Sequence, residues 1–315
     1  MSLRITRAGL QATIQAQPRI GLRHFGVPAS GPADSLSMAL ANHLVCNPVM
    51  CPALEVTLNG IDLTFESDTS FAISGAPSEC ALNGSPIELH RSYRASAGDE
   101  LNLGTTLTGA RIYIAFAGGL IADEVLGSAS TYLPAELGGY KGRALEQGDI
   151  LQLKLPGHEI SNRTTPDEFR PPITSSWAVR ACDGVESRLL DESSRSELFD
   201  SNFTVGNRAD RMGIQLQGRE LGIQSEGRLP SAAVFPGCVQ CPEGGTPYLL
   251  SVDAQTTGGY PRVAQIARLD RHLLGQFRPG DHVRLLHRTP EQAAEELHEK
   301  LNYWRAWLPD IESVI

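Results

Sequence analysis

The chain has 315 residues, 41% hydrophobic and 20% charged, which suits one or two globular domains with real cores. Its 36 acids and 27 bases give a formal charge of −9 with no Lys/Arg cluster, which argues against nucleic acid or an anionic membrane surface as a partner. No apolar run approaches a membrane span and the opening residues 1–7 lack a signal-peptide pattern, so a soluble cytoplasmic protein is expected.

Gly and Pro are frequent, and helical periodicity is scarce. The first notable segment runs from Phe25 to Asp34, a polar stretch punctuated by Gly and Pro. It leads into a helix expected over Ala33 to Val45, where Leu36, Ala39, Leu40 and Leu44 share a face. Ser30 or Asp34 is placed to cap that helix. Short, mostly alternating apolar runs follow at Leu54 to Phe65, Phe71 to Ser74, Glu100 to Leu103, Arg111 to Phe116 and Asp149 to Leu155. They read as strands. Residues 158–172 are polar and proline-punctuated and read as a linker with little to bury. Strands are again expected at Trp177 to Ala181, Ile214 to Ile223, Tyr248 to Val252 and His282 to His287. A shorter helix is expected near Gln265 to Gln276, and another from Pro290 to Leu308. There Thr289, Pro290 and Gln292 supply an N-cap, a first-turn proline and a capping box.

The chain is therefore mainly β: two barrel-like lobes with a few helices, one of them C-terminal. The expected divisions are 1–157 for the first lobe, 158–172 for the linker, 173–288 for a barrel lobe and 289–315 for the final helix. The halves also rhyme. Val56 to Ser67 and Ile214 to Ser225 both read as strand-x-Gly-x-strand hairpins. Gly98-Asp99, Gly148-Asp149 and Gly280-Asp281 each open a strand. The rhymes suggest two related lobes with a ligand cleft between them.

The densest chemistry lies in Asp253-Ala-Gln-Thr-Thr-Gly-Gly-Tyr-Pro261, straight after a strand. A hairpin needs only two or three turn residues. Here Gln255, Thr256 and Thr257 offer donors and acceptors, while Gly258 and Gly259 permit close backbone approach or positive φ. In Val205 to Gly213, Arg208 or Arg211 could clamp a carboxylate or phosphate, or bridge to an aspartate such as Asp210 between them. Gln240 sits among apolar neighbours and needs partners, from a ligand or from backbone. Cys238 and Cys241 have C-x-x-C spacing, but no second pair or His pair completes a metal site, so buried apolar thiols are expected and no metal. No Walker or Rossmann glycine pattern is present, so a nucleotide is expected to bind elsewhere.

Residues 26–34, Ala41 to Val45, Ala53 to Thr57, Asp210-Arg-Met-Gly213, Pro236 to Gln240 and Asp253 to Pro261 occur in an order that resembles the biotin-dependent carboxyltransferase-like group. Its members include the C subunit of 5-oxoprolinase, allophanate hydrolase subunit 2 and a segment of urea carboxylase. Within the pattern, Ala16, Ala209 and Gln215 stand where the group usually carries Asp, Ser and Arg, and Asp183 to Glu186 stands where it carries Gly-Pro-Gln/Glu. The resemblance implies a cyclophilin-like barrel, association with the B and A subunits of 5-oxoprolinase, and ATP-driven opening of 5-oxoproline to glutamate. ATP is used by the complex, and no cofactor is expected on this chain. The implied site holds a lactam or amide among Ser30, Arg211, Gln240, Gln255, Gly258, Gly259 and Tyr260. Arg211 would orient a substrate carboxylate, Asp34 or Asp253 would assist proton transfer, and Thr256 or Thr257 would polarise the amide. Two other readings are a carboxyltransferase component served by a biotin carrier on another chain, and a regulatory partner of a kinase-inhibitor-like B subunit.

Overall fold

A computed structural model describes residues 1–155, 162–224 and 229–315. The chain forms two compact units. One comprises Met1–Arg19, Ser30–Ile173 and Trp304–Val314; the other comprises Ile20–Ala29, Thr174–Tyr303 and Ile315. The sequence suggests a linker at 158–172 as the divide. The main division falls after Ile173, at the end of that stretch, while Ile20–Ala29 groups with the second unit and Trp304–Val314 with the first.

The first unit holds two sheets. The six-stranded sheet runs in the order Ile150–Gln152, Ser2–Arg7, Asp62–Phe65, Glu100–Thr106, Ser78–Leu82, Ser85–Ile87. The five-stranded sheet runs Gln11–Gln15, Ala53–Thr57, Arg111–Phe116, Thr69–Gly75, Ser92–Ala95. Leu3, Ile5, Leu63 and Phe65 from one sheet and Ile14, Leu54, Ile73 and Ile112 from the other share a single core. Helix α1 (Ser35–Leu44) covers the outer face of the smaller sheet, packing Met38, Ala41 and Leu44 on Tyr113 and Ala115. Strand Arg111–Phe116 is thus buried on both faces, which is why all six of its residues are buried and its sequence does not alternate.

The second unit is a closed seven-stranded barrel. Its order is Ser176–Asp183, Arg262–Ile266, Cys238–Gln240, Tyr248–Leu250, Gly213–Gln217, Asn202–Ala209, His282–His287. The last strand closes the ring by pairing in parallel with the first. Helix α2 (Glu192–Asp200) went unforeseen: only Ser194 and Leu198 are buried, so it carries almost no apolar periodicity. Its start is legible only through Asp191, which accepts from the Ser194 amide at 2.7 Å. The segment Arg268–Gln276 is a 3₁₀ helix, with Gln265 left in the preceding strand. Helix α3 (Pro290–Trp304) carries the expected capping box: Gln292 N donates to Thr289 Oγ1 at 3.3 Å, and Thr289 N donates to Gln292 Oε1 at 3.0 Å. Among the described residues, no helix is long and apolar enough to cross a membrane.

The two expected hairpins do not form. Ala53–Thr57 and Asp62–Phe65 lie in different sheets. Leu58 turns the chain at φ 57°, and a Cβ on Gly60 would lie 2.0 Å from the Leu103 carbonyl oxygen, so the backbone crosses there between layers. Gly213–Gln217 pairs with Asn202–Ala209 and Tyr248–Leu250, not with its own continuation, and Ser225 lies outside the described residues. The Gly-Asp rhyme is real but local. Gly98, Gly148 and Gly280 have φ of 94°, 94° and 93°. In each case the following aspartate accepts from the amide three residues earlier: Ser96 at 2.7 Å, Glu146 at 2.8 Å and Arg278 at 3.1 Å. One turn chemistry is used three times in two different topologies.

Of the expected linker, residues 158–161 lie outside the described residues. From 162 onward it is tied down rather than loose. Arg163 donates to the His43 carbonyl at 2.8 Å, and Phe169 packs on Trp304 and Trp307. Two residues with large contact capacity anchor a stretch whose average composition is polar.

Burial holds three histidines neutral. His43 and His90 are pushed down to about 4, first by desolvation and then by Arg163 and Arg170 respectively; His272 is pushed well below its ordinary 6.5 by burial and Lys300. The unfolded chain binds these protons near pH 6.5 and the folded chain resists them. Their stabilisation is therefore intact above pH 6.5 and is lost as pH falls toward 4. The ceiling is about 1.4 kcal/mol per pH unit for each ring, less for the half-buried His43. The thermal unfolding midpoint should be flat from pH 8 to 7 and fall between pH 6.5 and 5; an unchanged midpoint at pH 5 contradicts this.

Candidate functional site

Strand Tyr248–Leu250 delivers the Asp253–Pro261 segment to one end of the barrel unit. Asp253 is bound to Arg211 through two hydrogen bonds, Nε to Oδ2 at 2.7 Å and Nη2 to Oδ1 at 3.1 Å. Both side chains are buried: Arg211 is 5% exposed and Asp253 2%. The backbone repeats the link, since Asp253 N donates to the Arg211 carbonyl at 2.8 Å. An arginine–aspartate bridge was expected here with Asp210 as one partner. It forms across 42 residues instead, and Asp210 caps its own turn by accepting from Met212 N at 2.7 Å and Gly213 N at 3.0 Å.

Gln240 is buried and finds its partners inside the same segment. Its Nε2 donates to the Tyr260 carbonyl at 3.2 Å, and its Oε1 accepts from Gln255 Nε2 at 3.3 Å. A Cβ on Gly258 would come within 2.7 Å of Gln240 Nε2, and one on Gly259 within 2.9 Å of the Leu229 carbonyl oxygen. Neither glycine has positive φ, so close approach is what demands glycine here. Thr257–Gly258 pairs with Ala232–Ala233, and the Thr256 carbonyl accepts from Val234 N at 3.1 Å. Thr257 is exposed and Thr256 half-buried.

These residues border a cleft of about 460 Å³ within the barrel unit. Gln240, Gln255 and Tyr260 line it, with Arg208, Met212 and Tyr248. The cleft therefore combines a guanidinium, a carboxylate, two carboxamides and two phenols with the apolar Met212, Pro242 and Leu250, which is the make-up of a site for a small polar molecule. Cys238 and Cys241 are buried free thiols pushed up to about 12 by desolvation, so they stay protonated and contribute no nucleophile.

Ser30 and Asp34 belong to the first unit. Asp34 is the N-cap of α1: its Oδ1 accepts from Ser37 N at 3.0 Å, and its Oδ2 accepts from the Ser37 hydroxyl at 2.5 Å. Its own amide donates to the Tyr113 hydroxyl at 2.8 Å. That hydroxyl in turn donates to Glu55 Oε2 at 2.7 Å, which also accepts from Ala33 N at 2.8 Å. Burial and the two carboxylates Glu55 and Asp34 push the Tyr113 phenol far up, so it remains a donor at every working pH. Ser30 has φ 55°, and its Oγ is buried without a hydrogen-bond partner among the described residues.

Arg23 went unrecognised in the sequence. It belongs to the barrel unit, where its Nη2 donates to the Val234 carbonyl at 2.6 Å and the Gln255 carbonyl at 3.2 Å, and its guanidinium lies 5.3 Å from the Phe235 ring centroid. It clamps the segment that carries Gln255. Its hydrogen-bond partners lie 211 and 232 residues away, so nothing in the local sequence announces the role.

Residues 25–287 match the carboxyltransferase domain, subdomain A and B. The chain is 34% identical over 307 residues to the C subunit of 5-oxoprolinase from Escherichia coli (strain K12), covering 97% of this chain and 98% of that protein. It is likewise 34% identical over 286 residues to the C subunit of 5-oxoprolinase from Haemophilus influenzae, covering 90% and 91%. The Kluyveromyces lactis urea carboxylase structure superposes with a TM-score of 0.89 at 28% identity, over 96% of this chain but only 29% of that one. With the match spanning most of its length and both of its units, the chain belongs to the carboxyltransferase domain family, subdomains A and B.

Proposed function

We propose that the chain is the C subunit of an ATP-dependent 5-oxoprolinase, opening 5-oxoproline to glutamate in the cytoplasm together with the B and A subunits. What carries this reading is the end-to-end match to proteins named as the C subunit of 5-oxoprolinase, 97% of this chain against 98% of the Escherichia coli relative. The cleft suits the substrate class. A lactam presents one carbonyl acceptor and one N–H donor; the Gln240 and Gln255 carboxamides supply donors for the carbonyl, and the acceptor groups that line the same cleft suit the N–H. The Arg211–Asp253 pair fixes the segment, and the Thr256 and Thr257 hydroxyls follow directly after Gln255 to polarise the amide. A five-membered lactam resists hydrolysis. Phosphorylation at the amide oxygen by ATP, bound on a partner protein, makes water attack at that carbon and C–N cleavage favourable, with ADP and phosphate released.

A second reading, a carboxyltransferase component fed by a biotin carrier on another chain, is favoured by the overlay on urea carboxylase. The two separate in one assay. The complex reconstituted with the A and B subunits should release glutamate from 5-oxoproline only with ATP, unaffected by avidin. Gln255→Ala and Gln240→Ala should each lower that rate by about tenfold or more. Full activity in both variants removes the cleft from the reaction, and avidin-sensitive carboxyl transfer to urea would replace the hydrolase reading.

A further inference from the structure

Two charged residues of the cleft carry groups that the contacts above leave unused. Arg208 lies near the end of strand Asn202–Ala209, is exposed, lines the cleft, and makes no ion pair or hydrogen bond with any described residue. The pairing of its strand with Gly213–Gln217 slips between Val205 and Ala209, an irregularity of the kind that re-aims side chains beside functional sites. Asp210 lines the same cleft two residues on. Its Oδ1 is occupied by the Met212 and Gly213 amides, while its Oδ2 accepts from no described residue. One cleft is thus lined by the Arg208 guanidinium, by a carboxylate whose Oδ2 has no partner among the described residues, and by the Gln240 and Gln255 carboxamides.

We propose that Arg208 and Asp210 form a two-point clamp for small acids in which a carboxylate sits one carbon from an amide N–H. Arg208 holds the carboxylate through paired hydrogen bonds, Asp210 Oδ2 accepts the N–H, and the carboxamides take the amide carbonyl. 5-Oxoproline has this arrangement, and so does an open-chain N-acylglycine. The clamp names the recognition chemistry of the lactam site proposed above and rests on it. A neutral lactam without the acid lacks the Arg208 contact, so the clamp selects for the acid and not for the ring.

The test is calorimetric titration of the full chain with three probes: 5-oxoproline, N-acetylglycine and 2-pyrrolidinone, which is a lactam without a carboxylate. Both acids should bind, and Arg208→Ala should weaken both by about tenfold or more while leaving 2-pyrrolidinone unchanged. Arg208→Lys should recover only part of the loss, because an ammonium cannot form the paired contact. Asp210→Asn, which keeps the acceptor for the turn, should weaken both acids severalfold. Acids that bind Arg208→Ala as tightly as wild type, or that do not bind the wild type at millimolar concentration, overturn the clamp. Arg208 is exposed, so an unchanged unfolding midpoint guards against misfolding. The two proposals fail separately. Acid binding that depends on Arg208, with no glutamate release by the reconstituted complex, sinks the reaction and keeps the clamp. Turnover with an unchanged KM in Arg208→Ala sinks the clamp and keeps the reaction.

Discussion

Asp253→Ala is expected to lower the unfolding free energy by about 3–5 kcal/mol, because it leaves the Arg211 guanidinium buried without the carboxylate that faces it. The pair itself need not be strongly stabilising. Two desolvation penalties offset most of its attraction, so the cost lies in removing one partner. The double variant Arg211→Met, Asp253→Leu should therefore be less damaging than Asp253→Ala alone, giving a coupling of about 2 kcal/mol or more in a double-mutant cycle. Urea unfolding of the four proteins measures this. Additive single costs would mean that the two side chains do not depend on each other. Function should follow structure here: with the pair gone, the segment holding Gln255 and Gly258 loses one of its anchors, so probe binding should weaken in Asp253→Ala and return in part in Asp253→Asn.

Glu55→Ala should cost a similar amount, about 3–5 kcal/mol, in the first unit. Glu55 is 1% exposed, accepts from Tyr113 Oη and Ala33 N, and faces Arg111 Nε at 3.5 Å. Removing it leaves a buried phenol and a buried amide without their acceptor and takes the counter-charge from Arg111. Tyr113→Phe cuts only the hydroxyl linking Glu55 to the Asp34 amide and should cost about 1–3 kcal/mol. Glu55→Gln keeps the shape and an acceptor and should fall between wild type and Glu55→Ala. A cost for Glu55→Ala below about 1 kcal/mol, the net worth of one ordinary hydrogen bond, would show that this network adds nothing to the seating of the Ser30–Asp34 loop.

The reach of the sequence differs from element to element. The capping box of α3 was readable because both of its partners lie within one turn of each other along the chain. The three Gly-Asp turns were readable for the same reason. The Val56–Ser67 hairpin was misread because alternation marks a strand without naming its sheet: the chain crosses between layers at Leu58 and Gly60, where the Leu103 carbonyl decides what fits. At the site, the Gln255–Tyr260 cluster stood out by its surplus of hydrogen-bonding groups. The pairing of Arg211 with Asp253 and not Asp210, and the grip of Arg23 on that segment, did not.

By itself the sequence determined a mainly β chain, its helix caps, its recurring turns and a chemically crowded segment after a buried strand, because each of these is set by residues close together along the chain. The tertiary structure alone decided which strands share a sheet, that one unit closes into a barrel while the other forms two layers, and which charges neutralise each other. Those outcomes depend on which distant backbone and side-chain groups are desolvated together, and pattern along the chain carries no record of that.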